Sequence, residues 1–289
     1  MELQHVLHCR SNGNARDGIE TSRTAPKGGT ASNGNSRHSI EFFDCSVSYG
    51  VEATPSVLRP APTAEALRAE MARAGVAKAV VCRVEQMTGS TLTANEMLAE
   101  DVRACDDLFG LWALLPSHTH EIAEPEAMPS AMKANRIVGW RLFPERCRFL
   151  MKWSALRDWV ELAVARSIPV FINTAHGASL EQVADLLEKA PELTVVLTYA
   201  NEWPSDRLMR PFVKRYPNVY LDMAFMITDG GIESFVSEYG ASRLLYGSGF
   251  PRCYFGANMM MLKHAEIADE DKTAVAGGNL RRVLQQVRL

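Results

Sequence analysis

The sequence predicts one (β/α)8 barrel behind a polar N-terminal tail, and three observations carry that prediction. From Ser39 onward, apolar runs and amphipathic stretches alternate eight times over about 250 residues, which is the length and order of such a barrel. Helix-capping signals stand between the runs, at Thr93-Ala94-Asn95-Glu96 and Ser179-Leu180-Glu181-Gln182. The last apolar run, Leu244–Tyr246, opens into Gly247-Ser248-Gly249 and then Pro251, as a buried parallel strand does when it ends in a tight loop. A doubly wound open sheet is the alternative architecture, weakened because no Gly-x-Gly-x-x-Gly follows an early strand.

In chain order, the expected strands are Ile40–Val47, Val76–Val84, Phe109–Leu115, Ile137–Leu142, Ile168–Asn173, Thr194–Tyr199, Val219–Met223 and Leu244–Tyr246. The first helix begins near Thr63, after Pro62, with Ala64, Leu67, Met71 and Ala74 on one face, and stops at Gly75. Pro125 and Pro129 break the segment after the third strand. A helix over Trp153–Arg166 is expected to be capped by Ser154, and Asn279–Val287 is the closing helix. Trp153 and Trp159 fall at core or subunit-contact positions on that helix.

Residues 1–38 are rich in Gly, Asn, Ser, Thr and Arg and lack apolar periodicity after Leu7. Such a segment buries too little surface to offset its ordering entropy, so it is expected to be a flexible tail, with the barrel over 39–289. Composition bounds the function. A net charge of −3 speaks against an extended nucleic-acid or anionic-membrane surface. No apolar run reaches the ~18–20 residues of a membrane helix, and no secretory leader is evident. The six Cys are scattered without a Cys-x-x-Cys pair, which fits reduced thiols and a cytoplasmic setting better than disulfides or a Cys zinc site.

Phe43–Ser48, Gly139–Pro144, Ile168–Thr174, Leu193–Asn201, Tyr216–Asp222 and Arg243–Pro251, in that order and spacing, together resemble the amidohydrolase-related family of (β/α)8 barrels. Gly139-Trp140-Arg141-Leu142-Phe143-Pro144 resembles the family's fourth strand, Gly-x-(Arg/Lys)-Leu-x-Pro. Ile168–Thr174 resembles the fifth, Pro-Val-x-x-His-Thr, and Leu193–Asn201 the sixth, ordinarily ending in His. Tyr216–Asp222 resembles the seventh, Tyr-Pro-Asn-Val-Tyr-x-Asp, and Arg243–Pro251 the eighth, Gly-Ser-Asp-x-Pro. Phe43–Ser48 stands where the family has Ile-Asp-x-His-x-His. The resemblance places the family's metal ligands on Ser46, Ser48, Asn173, Tyr199 and Gly249. Zn2+ wants imidazole, carboxylate or thiolate, so no conventional metal centre and no cofactor are expected. Where some barrels of this superfamily carry a carbamylated Lys, this chain has Arg141.

Strand alternation places Asp44, Ser46 and Ser48 inward and Cys45 toward the helices, and puts Arg141 inward with Gly139 and Phe143. Arg141 suits a carboxylate or phosphate, or an ion pair with Asp44 or Asp222; Arg83 and Arg252 read as solvated surface. Asn173, Tyr199, Ser46 and Ser48 would orient a polar ligand at the mouth, with Trp203 as a stacking wall. Asp222 and Asp44, with Glu202 as another, are candidate bases, and Tyr199 and His176 candidate acids. Hydrolases, lactonases and decarboxylases occur in the family, so the resemblance implies a hydrolase. Its expected substrate is a small anionic molecule, a carboxylated lactone or amide. The alternatives are a non-catalytic barrel that binds an acidic metabolite or a protein partner, and a metalloenzyme with its site moved to His118, His120 and His176. Homo-oligomerisation is left open.

Overall fold

The computed structural model describes residues 40–51, 60–200 and 204–289. The tail, Glu202 and Trp203 therefore lie outside the described residues. Eight strands run in one sheet in sequence order: β1 (Phe42–Tyr49), β2 (Val76–Arg83), β3 (Leu108–Ala113), β4 (Ile137–Leu142), β5 (Val170–Asn173), β6 (Val195–Thr198), β7 (Val219–Asp222) and β8 (Leu244–Leu245). Every neighbouring pair is parallel. Cys45 N–H donates to Tyr246 O at 3.0 Å, Ser48 N–H to Phe250 O at 2.9 Å and Gly249 N–H to Ser46 O at 3.1 Å, so the last strand returns to the first. The protein is a TIM barrel.

The local signals hold in some places and shift in others. Thr63 caps the helix Ala64–Ala74 by accepting from Ala66 N–H, and Gly75, with φ 82°, ends it in the left-handed region. Ser179 and Gln182 form the expected capping box. The helix Thr91–Arg103 is instead capped by Ser90, one turn before the expected signal. Ser154 does not cap Trp153–Arg166; Lys152 stands at that position without a side-chain bond. Asp185 accepts the orphan Trp153 N–H at 2.8 Å, so the neighbouring helix supplies the partner that local sequence lacks.

Two apolar layers hold the barrel. Between strands and helices lies the larger core, where Trp140 meets Trp159 edge-on at 5.5 Å. Inside, Phe43, Cys45, Val80, Leu111, Phe171, Val196 and Leu245 pack with Leu280. Leu280 enters from the closing segment. Gly277 permits its approach, because a Cβ there would lie 3.1 Å from both Glu41 O and Phe43 Cβ. Above this layer Cys82, Ala113 and Phe143 form a smaller cluster. Alternation on β1 does not run evenly, because its register with β2 shifts between Asp44 and Val47. Cys45 consequently packs in the barrel interior rather than toward the helices as strict alternation predicts. No helix among the described residues is long and apolar enough to cross a membrane.

Candidate active site

The polar residues singled out on β1, β4, β5 and β7 converge at the C-terminal ends of the strands, where such barrels place their chemistry. Arg141 is the centre. It projects from β4, is 1% exposed, and donates through Nη1 to Cys82 Sγ on β2 at 3.4 Å and through Nη2 to Thr198 Oγ1 on β6 at 3.5 Å. Both contacts are long, and neither acceptor carries a fixed charge. Its Nε has no partner, and no ion pair among the described residues includes Arg141. The expected ion pair with Asp44 is not formed, and Asp222 feels the Arg141 charge without a salt bridge to it. A buried guanidinium held by no salt bridge is costly, which makes this the strongest electrostatic feature of the mouth.

Arg83 has the opposite environment. It is buried, and its guanidinium holds Glu85 at 2.9 Å and Asp101 at 2.5 Å, while Asp101 also accepts from the Tyr49 hydroxyl at 2.6 Å. This network ties β1 and β2 to the helix Thr91–Arg103, so Arg83 is scaffold and not solvated surface.

The two aspartates differ in what they hold. Asp44 accepts Ser46 N–H at 2.9 Å and Ser248 N–H at 3.1 Å through Oδ1, pinning β1 to the loop after β8. Burial nevertheless lifts its pKa to about 6, against the pull of those donors. Asp222 ends β7 and accepts Tyr199 N–H at 3.2 Å. Burial drives its pKa well above the carboxylate range, Asp44 adds to that rise, and Ser46 and Arg141 oppose it.

Asn173 ends β5, and its Oδ1 accepts Ala175 N–H at 2.8 Å, capping the short turn Thr174–His176. Its Nδ2 is buried without a partner. That turn carries His176, whose ring stands 5.9 Å from Phe143 and 6.4 Å from Tyr199, centroid to centroid. Burial first, then Arg141, Arg146 and Arg252, lower the His176 pKa to about 4, and its Nδ1 is buried unpartnered. The imidazole is neutral and available as an acceptor.

Tyr199 follows β6 with φ 59°, and its hydroxyl donates to Gly249 O at 2.7 Å. Burial pushes the phenol above its ordinary range. Phe225 packs on it at 5.0 Å, and the Arg252 guanidinium lies 5.1 Å over Phe225. Phe143, His176, Tyr199 and Phe225 thus form an aromatic arc from β4 round to β7. Ser48, half-buried, pairs with Cys82 Sγ at 3.2 Å. Cys82, Thr198 and Phe225 were not legible as site residues; only their positions at or after strand ends pointed that way.

Of the positions matched to family metal ligands, Ser46 and Ser48 present hydroxyls, Asn173 an amide, Tyr199 a phenol already engaged, and Gly249 no side chain. Among the described residues no three His, Cys, Asp or Glu are grouped to hold a metal ion. The alternative histidines do not converge on one point: His118 is exposed, His120 is exposed and paired with Glu124 at 2.7 Å, and His176 belongs to the mouth.

Structural comparison finds similar barrels at low identity. An uncharacterized TIM-barrel protein from Bordetella bronchiseptica is 20% identical, with 86% of this chain and 99% of that one aligned at a TM-score of 0.66. The 5-carboxyvanillate decarboxylase from Sphingomonas paucimobilis is 14% identical, over 86% and 99% of the two chains, at 0.66. A dihydroxybenzoic acid decarboxylase from Polaromonas, solved with bound manganese and 2-nitroresorcinol, is 14% identical, over 85% and 97%, at 0.61. No curated protein matches the sequence. The amidohydrolase family's sequence model matches residues 52–286. With that match over most of its length and the barrel that carries it, the chain belongs to the amidohydrolase family.

Proposed function

We propose that this barrel hydrolyses a small carboxylated substrate, a lactone or amide, without a divalent metal. The observation that supports it best is the buried Arg141 with two weak acceptors and no carboxylate. A substrate carboxylate would supply the missing counter-charge and accept from the planar fork. The unpartnered Asn173 amide would take a further polar atom, and the aromatic arc would pack on a planar body.

The acid and base follow from two groups whose pKa values burial shifts toward the neutral form. His176, with its pKa lowered, takes a proton from the attacking water, and Asp222, with its pKa raised, gives one to the leaving oxygen or nitrogen. Asp44, engaged with two backbone N–H groups, fixes the β1–β8 seam beneath them. Tyr199 serves as wall, since its hydroxyl is committed to Gly249. The donors at the family's metal positions do not suit a divalent cation, and the Arg141 charge beside them opposes one, so no step runs through a metal.

Decarboxylation is the second reading, favoured by the protonated Asp222 as a donor to carbon and by the activities named for the similar barrels. A carboxylate held by Arg141 is stabilised against loss, which is why hydrolysis stands first. A non-catalytic barrel would bind the same acids without turnover. Incubation with a panel of aromatic and aliphatic carboxylated lactones, amides and acids, read by product mass and CO2 release, separates the three.

A further inference from the structure

Cys82 lies in the mouth but has no part in the hydrolysis proposed above. It is the last residue but one of β2 and is fully buried, with Sγ 3.2 Å from Ser48 Oγ, 3.4 Å from Arg141 Nη1 and 3.7 Å from Val47 O. A thiol sulfur is a weak acceptor for a guanidinium. Arg141 Nε and Asn173 Nδ2 are buried donors that no side chain satisfies, each on a residue at most 1% exposed. A carboxylate arriving at Arg141 improves on the sulfur as acceptor and settles beside it. Because Nη1 lies 3.4 Å from Sγ, binding there brings a carbon attached to that carboxylate toward the thiol.

We infer that Cys82 is a covalent modification site for small carboxylated electrophiles, which Arg141 docks against the thiol. The inference rests on the anion-binding reading of Arg141 and adds a nucleophile to it. The bond-making balances without an oxidant or reductant. With an α,β-unsaturated acid, Sγ bonds to the β-carbon and the thiol proton ends on the α-carbon. With an α-halo acid, the S–C bond forms as halide leaves with its electron pair, and the proton passes to buffer.

The remaining described thiols differ. Cys45 packs one layer deeper among apolar side chains, and Cys105 belongs to the core between strands and helices. Cys147 and Cys253 are partly exposed and serve as references, Cys253 having Arg252 as its own nearby cation.

The test treats the full chain with iodoacetate or with iodoacetamide at equal concentration and maps each cysteine by peptide mass spectrometry over time. Cys82 is expected to react at least tenfold faster with iodoacetate, and benzoate is expected to suppress that reaction in the unmodified protein, with no variant needed. In Arg141→Met the preference should vanish at Cys82 while Cys147 keeps its wild-type rates. Failure of iodoacetate to label Cys82 while Cys147 and Cys253 react overturns the inference, as does a preference indifferent to both benzoate and Arg141→Met. Thermal unfolding with benzoate separates the two layers of the proposal. A benzoate shift with an inert Cys82 ends the inference alone; no shift and no labelling end both.

Discussion

Tyr199 and Gly249 are built for each other. The tyrosine hydroxyl donates to the glycine carbonyl at 2.7 Å, and a Cβ at position 249 would lie 3.2 Å from that hydroxyl and 3.3 Å from Cζ. Gly249 also has φ 74°, which L side chains rarely adopt. The resemblance puts a metal-binding Asp at 249 and a His at the end of β6. Here a phenol fills the space between them.

Gly249→Asp is therefore expected to destabilise the protein by about 2–4 kcal/mol, from strain and crowding together. Tyr199→Ala combined with Gly249→Asp should cost less than the sum of the two single changes, because the crowding is removed while the positive-φ strain remains. Urea denaturation of the four proteins in the cycle measures the coupling, and strict additivity would mean the two residues do not exclude each other.

Arg83 and Arg141 should separate by readout. Arg83→Met leaves Glu85 and Asp101 without their partner and is expected to cost about 2–4 kcal/mol of stability while anion binding persists. Arg141→Met should remove anion binding at little cost to stability, since no ion pair is broken. Denaturation and benzoate titration on the same preparations check both halves.

Two buried groups set opposing stability trends at acid pH. Asp44 rises from 3.8 unfolded to about 6 folded, so the folded state binds more protons between those values. Its stabilisation is complete below about pH 4 and is lost as pH rises through 6, by up to about 3 kcal/mol. His176 falls from 6.5 to about 4, so its contribution is present above 6.5 and is lost as pH falls through 4. Asp44→Asn keeps an oxygen for Ser46 and Ser248 N–H but removes the titration. Its stability should rise more steeply with pH from 4 to 6 than that of the wild type; parallel curves would show that Asp44 does not titrate there.

Hydrolytic activity is expected to need neutral His176 and protonated Asp222, giving an acid limb near pH 4 and an alkaline limb where Asp222 loses its proton. His176→Ala and Asp222→Asn should each lower kcat by about 10²-fold or more and remove the corresponding limb. A pH–rate profile unchanged in shape would reassign both roles.

The fold was legible because its signals are local and repeated. Apolar runs at barrel spacing, Thr63 and Gly75 around one helix, and the Ser179–Gln182 box all act within a few residues. What the sequence concealed depends on partners far along the chain. Asp185 satisfies the helix at Trp153, the β1 bulge turns Cys45 inward, and Glu85 with Asp101 takes up Arg83. In the mouth, strand alternation turned Arg141 inward, and Asn173 and Asp222 were marked by their places at strand ends. Cys82 and Thr198 were hidden because neither residue type signals chemistry alone; their meaning comes from the guanidinium that reaches across the barrel to them.

Isothermal titration with benzoate in the presence of EDTA tests the central claim most directly, with wild type and Arg141→Met compared at one ionic strength. The account predicts saturable binding to the wild type that chelator does not weaken and that the variant lacks. A ligand at ten times its Kd should also add about 1.4 kcal/mol of stability, visible as a rise of several degrees in Tm. Binding that appears only after manganese or zinc is added, or that survives in Arg141→Met, would contradict it.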